Sequence, residues 1–177
     1  MPSDYVPCAP PSSMDSYGEL LNRLRDIDIA SQIGSILGWD QEVIMPEAAA
    51  ESRAEHLAWI SKTVHEKVTD PRVGELISEL ASDSLDQIQA ANLRLATISY
   101  QRATRLPSDF VEEFARLRSN AHHTWARARE EDDFSIFRDD MEKILDMTRR
   151  KAEYFGYTDS PYDALLDQYE TGLTVSR

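Results

Sequence analysis

Apolar positions recur at three- and four-residue steps along almost the whole chain, a period that predicts helices. Leu20, Leu24 and Ile27, then Ile33, Ile36 and Leu37, form the first series. Ser16-x-x-Glu19 reads as a capping box at its start, and Gly38-Trp39-Asp40 interrupts its end. Met45-Pro46 opens a second segment, because the missing proline N–H would be unpaired in a first helical turn anyway. Its small-residue face is Ala50, Ala54, Leu57, Ser61, Val64 and Val68, and Asp70-Pro71 closes it. A shorter helix is predicted over Val73–Ala81, followed by a longer one capped by Asp83 or Ser84 and carrying Leu85, Ile88, Asn92, Leu95 and Ser99. Leu106-Pro107-Ser108 ends that helix. Phe110, Phe114, Leu117, Ala121, Trp125 and Ala128 then share one face. Asp132-Asp133 caps a helix bearing Phe134, Phe137, Met141, Ile144, Leu145 and Thr148, with Gly156 as its left-handed stop. Ser160-Pro161-x-Asp163 opens a last short helix through Tyr169.

No segment alternates with a strand period, and no Asn-Gly or Asp-Gly pair signals a hairpin. The expected fold is all-α: an elongated antiparallel bundle of six or seven helices with short connections. Pro2, Pro7, Pro10 and Pro11 cannot sustain a helix, so residues 1–14 read as a disordered tail and residues 15–177 as the helical region.

Charge and composition narrow the function classes. The 177 residues carry 19 basic and 32 acidic side chains, a net charge of −13. That excess argues against nucleic acid, whose phosphates require clustered Lys and Arg. No apolar run is long enough to span a membrane. The start of the chain has neither the basic residues nor the apolar stretch of a signal peptide. Cys8 is the single cysteine, which excludes a disulfide framework and fits a reducing, cytoplasmic setting.

The chemical inventory is sparse. His65-Glu66 begins a His-Glu-x-x-His string, but position 69 is Thr69. None of the four histidines has a glutamate three residues before it, so the Glu-x-x-His pattern of di-iron bundles is absent as well. His122 and His123 are neighbours, about 100° apart on a helix and poorly placed to share a metal. No catalytic residue and no metal ligand can therefore be assigned. Gly34-x-x-x-Gly38 is a small-residue spacing suited to helix packing. Two polar–aromatic stretches suggest groove or lid positions: Trp39, Asp40, Glu42 and Met45 with Arg53 downstream, and Tyr162 with Asp163. In each, plain packing and capping is the competing reading.

At these stretches the chain resembles the thermostable carboxypeptidase Taq family. The resemblance is carried by Gly38–Ala58 (GWDQEVIMPEAAAESRAEHLA), by Tyr100–Pro107 (YQRATRLP), by Trp125–Arg129 with Asp133-Phe134, and by Pro161–Glu170 (PYDALLDQYE). Glu170-Thr171-Gly172 departs from the family's usual Glu-Pro-Gly. The resemblance implies a cytoplasmic, homodimeric, metal-dependent peptidase with a larger all-helical fold and a deep groove, which removes C-terminal residues from peptides. It also implies zinc or cobalt in the full-length enzyme, bound by a His-Glu-x-x-His motif beyond Arg177. This chain would then be the N-terminal helical part, forming groove wall or lid around Trp39, Asp40, Glu42, Met45, Arg53, Trp125, Tyr162 and Asp163, and inactive by itself. A free-standing, non-catalytic module for peptide binding or dimerisation is the alternative.

Overall fold

Prolines and capping carboxylates punctuate the chain where its helices meet. The computed structural model describes residues 13–176, which hold seven α-helices and no strand. These are α1 (Ser13–Val43), α2 (Ala50–Val68), α3 (Pro71–Leu80), α4 (Gln87–Ala103), α5 (Ser108–Glu130), α6 (Ser135–Phe155) and α7 (Pro161–Leu166). A 3-10 turn, Glu47–Ala49, leads into α2. Asp70 caps α3 by accepting the Arg72 N–H, with Pro71 in the first turn. Ser160 and Pro161 open α7 in the same way. Gly156 stops α6 at φ +71°, a conformation that a Cβ would strain.

Several boundaries differ from the sequence expectation. Helix α1 already includes Ser13 and Met14, so those two residues are not tail; residues 1–12 lie outside the described residues. Ser16 is therefore inside α1 and caps nothing: its hydroxyl donates to Glu79 Oε2 at 2.8 Å, joining α1 to α3. Gly38-Trp39-Asp40 does not break α1, which continues to Val43. One interior glycine costs only about 1 kcal/mol, and Arg53 fastens this turn by donating to Asp40 Oδ2 and the Leu37 carbonyl. The Asp40 carbonyl ends the helix by accepting N–H groups from Ile44 and Met45. The cap of α4 is Asp86, neither Asp83 nor Ser84; Asp86 and Gln89 form a reciprocal capping box. Its inward face is Leu93, Ala96 and Tyr100, while Ile88 and Leu95 point outward. Helix α7 ends at Leu166, short of Tyr169.

Helix α1 is the spine. Its first half lies against α3 through Arg23–Asp70 (2.9 Å) and Ser16–Glu79. Its second half lies against α2 through Arg53–Asp40 and the approach of Gly34 to Ile60. Helices α2 and α3 thus run in the same sense along α1, so antiparallel succession fails at Thr69-Asp70. Helix α5 returns antiparallel to α2, with Lys62–Glu112 at 2.8 Å and Arg116–Glu55 at 2.7 Å. Helix α6 is antiparallel to α5, held by Thr124–Asp140 at 2.7 Å.

Two apolar clusters hold these pieces. One gathers Leu20, Val73, Leu76, Leu80 and Ala96 from α1, α3 and α4. The other gathers Ala121, Ala128 and Phe137 between α5 and α6. The α1–α2–α5 seam between them is built on Ala30, Ala54, Ala58 and Ser119, all buried. Small side chains let the three helices approach closely, and they leave room along the seam.

Candidate functional site

The room takes the form of a groove along α1, α2 and α5. Near the C-terminal end of α1, a cavity of about 290 Å³ is lined by Gly38, Gln41, Glu42, Ser61, Arg118, Ser119 and His122. It adjoins a second, of about 540 Å³, that shares Leu57, Ser61 and Arg118 and runs beside Gly34 and Ile60. Across its floor the Ser119 hydroxyl donates to Gln41 Oε1 at 2.5 Å, joining α5 to α1. Gly38 has no neighbour within 4 Å of where a Cβ would stand, so that glycine faces open space.

The predicted positions divide into three places. Asp40, Glu42 and Arg53 sit together where α1 meets α2. The Arg53 side chain keeps only 13% of its exposure, and its Nε is buried without an acceptor. Glu42 is exposed on the groove rim, Met45 is half-buried in the turn beyond, and Trp39 projects into solvent at 56% exposure. Trp125 lies on α5, one turn beyond His122, with the His122 ring 5.8 Å away and the Arg129 guanidinium over its indole at 5.4 Å. Tyr162 and Asp163 are at the opposite end of α5. Tyr162 is 58% exposed, and Asp163 Oδ1 accepts the Val175 N–H at 2.7 Å. Asp163 also lines a separate cavity of about 230 Å³ with Arg102, Arg105 and Leu173. Ser119 and Arg118 escaped sequence reasoning, because polar residues inside an amphipathic helix carry no motif; Gln41 lay within the polar run after Trp39 but was not singled out.

The charged groups on the α2–α5 face are tied into pairs. Glu112 is held below the usual carboxylate range first by Lys62 and then by Arg116. Glu55 is lowered by Arg116 in the same way. Burial pushes the His123 imidazole down, and its neighbour His122 pushes further; its Nε2 has no partner. Burial also pushes His65 down, against a hydrogen bond with the Leu106 backbone.

These groups do not make a metal centre. Among the described residues no three His, Cys, Asp or Glu side chains gather as ligands. His122 and His123 are close, with perpendicular rings 5.6 Å apart, but no carboxylate completes a set with them. No described helix is long and apolar enough to cross a membrane.

Comparison with known proteins settles the kinship. Residues 19–177 match the family model for carboxypeptidase Taq (M32) metallopeptidases. The chain belongs to the M32 metallocarboxypeptidase family. It is 34% identical over 160 residues to thermostable carboxypeptidase 1 of Pyrococcus furiosus, covering 90% of this chain and 32% of that protein. To thermostable carboxypeptidase 1 of Thermus thermophilus it is 33% identical over 172 residues, covering 89% and 34%. The crystal structure named BsuCP superposes with a TM-score of 0.88 at 30% identity, over 92% of this chain and 33% of that one. The chain therefore spans about a third of the length of the M32 relatives it matches. Family membership implies a divalent metal in the complete enzyme, and the residues described here do not fit one.

Proposed function

We propose that this chain is the N-terminal helical part of a metal-dependent carboxypeptidase that removes C-terminal residues from peptides. One observation carries the reading: the match runs through residues 19–177 yet accounts for only about a third of each relative. The groove between α1, α2 and α5 serves as one wall of the peptide channel, with Trp39, Asp40, Glu42, Met45, Arg53 and Trp125 at or beside it. Arg53 acts by positioning, since it fastens the last turns of α1 that carry Gln41 and Glu42. Tyr162 and Asp163 bracket the far end of α5. The complete enzyme is a cytoplasmic homodimer; its divalent metal, zinc or cobalt, would be held by residues outside this chain and would supply Lewis-acid chemistry there.

The test is peptide hydrolysis with zinc or cobalt added. The purified 177-residue chain releases no C-terminal amino acid. A chimera in which residues 19–177 replace the matching third of the Pyrococcus furiosus enzyme hydrolyses peptides, and a chelator abolishes that activity. Chelator-sensitive turnover by the isolated chain overturns the reading.

A further inference from the structure

Helix α1 is apolar on two opposite faces. Gly34, Leu37, Gly38 and Gln41 turn toward α2 and α5. On the other side Ile29, Ile33, Ile36 and Val43 follow one another at steps of three, four and seven residues, which keeps them within one helical stripe. All four are exposed, from 47% for Ile29 and Ile33 to 64% for Ile36, and Trp39 borders them at 56%. A helix apolar on both sides is the pattern of a buried helix with a second layer of protein on it. The whole chain exposes 12112 Å², where a compact monomer of 20.2 kDa exposes about 8,800 Å².

Resting on the proposed function, we infer that the outer stripe of α1 is the docking face for the remaining two thirds of the M32 fold. The relatives carry that additional length, and this chain superposes on a third of such a structure with its own helices in place. A second copy of the chain is a poor occupant. Asp28 stands beside the stripe, and each chain has a net charge of −13, so two copies brought together there would repel. The occupant is an apolar surface with a neutral or basic rim, supplied by the catalytic part of the fold.

The experiment uses a thiol placed in the stripe, Ile36→Cys with Cys8→Ser, in the 177-residue chain and in the Pyrococcus chimera described above. Labelling by a maleimide is fast in the chain alone and at least 100-fold slower in the chimera. Adding Ile33→Glu restores fast labelling in the chimera while leaving the melting temperature of the isolated chain unchanged. Equal labelling in both proteins overturns the inference, as does a chimera that does not melt cooperatively, because the stripe has then failed to seat. Labelling of the isolated chain that slows as its concentration rises overturns it in favour of self-association. Peptide hydrolysis measured on the same samples separates the two claims. An active chimera with an exposed thiol sinks the docking face alone, and an inactive chimera with a protected thiol sinks the proposed activity alone.

Discussion

The α1–α3–α4 end and the α1–α2–α5 seam are built from opposite materials. At the first, Leu20, Val73, Leu76 and Leu80 are essentially without exposure, and Gly74 lets the Tyr100 ring approach so closely that a Cβ there would lie 2.5 Å from its hydroxyl. At the second, the buried residues are mostly small, alanines and a serine with Ile60 beside them, the helices are joined by polar crossings, and cavities run alongside. Branched aliphatics interdigitate and fill space, whereas alanine brings backbones close and leaves gaps between helices. The first end is a self-sufficient core. The seam is the part that has surface to offer to something else.

The largest effect expected from breaking this contrast is at the core. Leu76→Ala removes a side chain with no exposure and should cost about 3 kcal/mol in urea denaturation. In the seam the largest single loss should come from Arg53→Ala, at about 2 kcal/mol, because two charge-assisted hydrogen bonds to α1 disappear together. Hydrogen exchange should then show the last turns of α1 opening while α3 remains protected. If both substitutions loosen the whole chain equally, the two regions are one cooperative unit and the contrast fails.

Acid should separate the two regions next. Burial lowers the pKa of His65, so the unfolded chain takes up that proton first. Its contribution is intact above about pH 6.5 and declines as the pH falls below that value. Glu19, Asp70 and Glu79 are lowered chiefly by Arg72, through its guanidinium or its backbone N–H. Their contribution is intact above about pH 4 and is lost as the pH falls through their folded-state values. Denaturation midpoints followed from pH 8 to 3 should show two declines. His65→Gln should remove the upper one, and Arg72→Met should weaken the lower one.

The smallest effect belongs to the outer stripe. Ile36→Ser should change the stability of the isolated chain by less than about 0.5 kcal/mol, since Ile36 touches little in this fold. A larger loss in the melting curve would mean that the stripe is already packed within the chain.

Helix existence was legible because the 3.6-residue period and the proline punctuation are local properties. Asp70-Pro71 closes α2 and Ser160-Pro161 opens α7 as the sequence implies, and Asp70-Pro71 in addition caps and begins α3. Ends that depend on partners were not legible. Ser16 resembles a cap until Glu79 arrives from 63 residues away to take its hydroxyl, and Gly38-Trp39-Asp40 resembles a break until Arg53 clamps it. The same limit applies to the groove. Trp39, Asp40 and Glu42 drew notice through local composition, whereas Gln41, Ser119 and Arg118 became neighbours only when α1 and α5 packed. The wrong face chosen for α4 has a related cause: Ile88 and Leu95 keep the helical period but point away from this chain's own core.

By itself the sequence determined an all-helical chain, its kinship through four short blocks, and an acidic balance unsuited to nucleic acid. These follow from periodicity, residue order and charge, none of which requires a neighbour. Tertiary structure alone decided which faces of those helices are inward. Burial is a property of pairs: α2, α3 and α5 cover one side of α1, and among the described residues none covers the stripe of Ile29, Ile33 and Ile36.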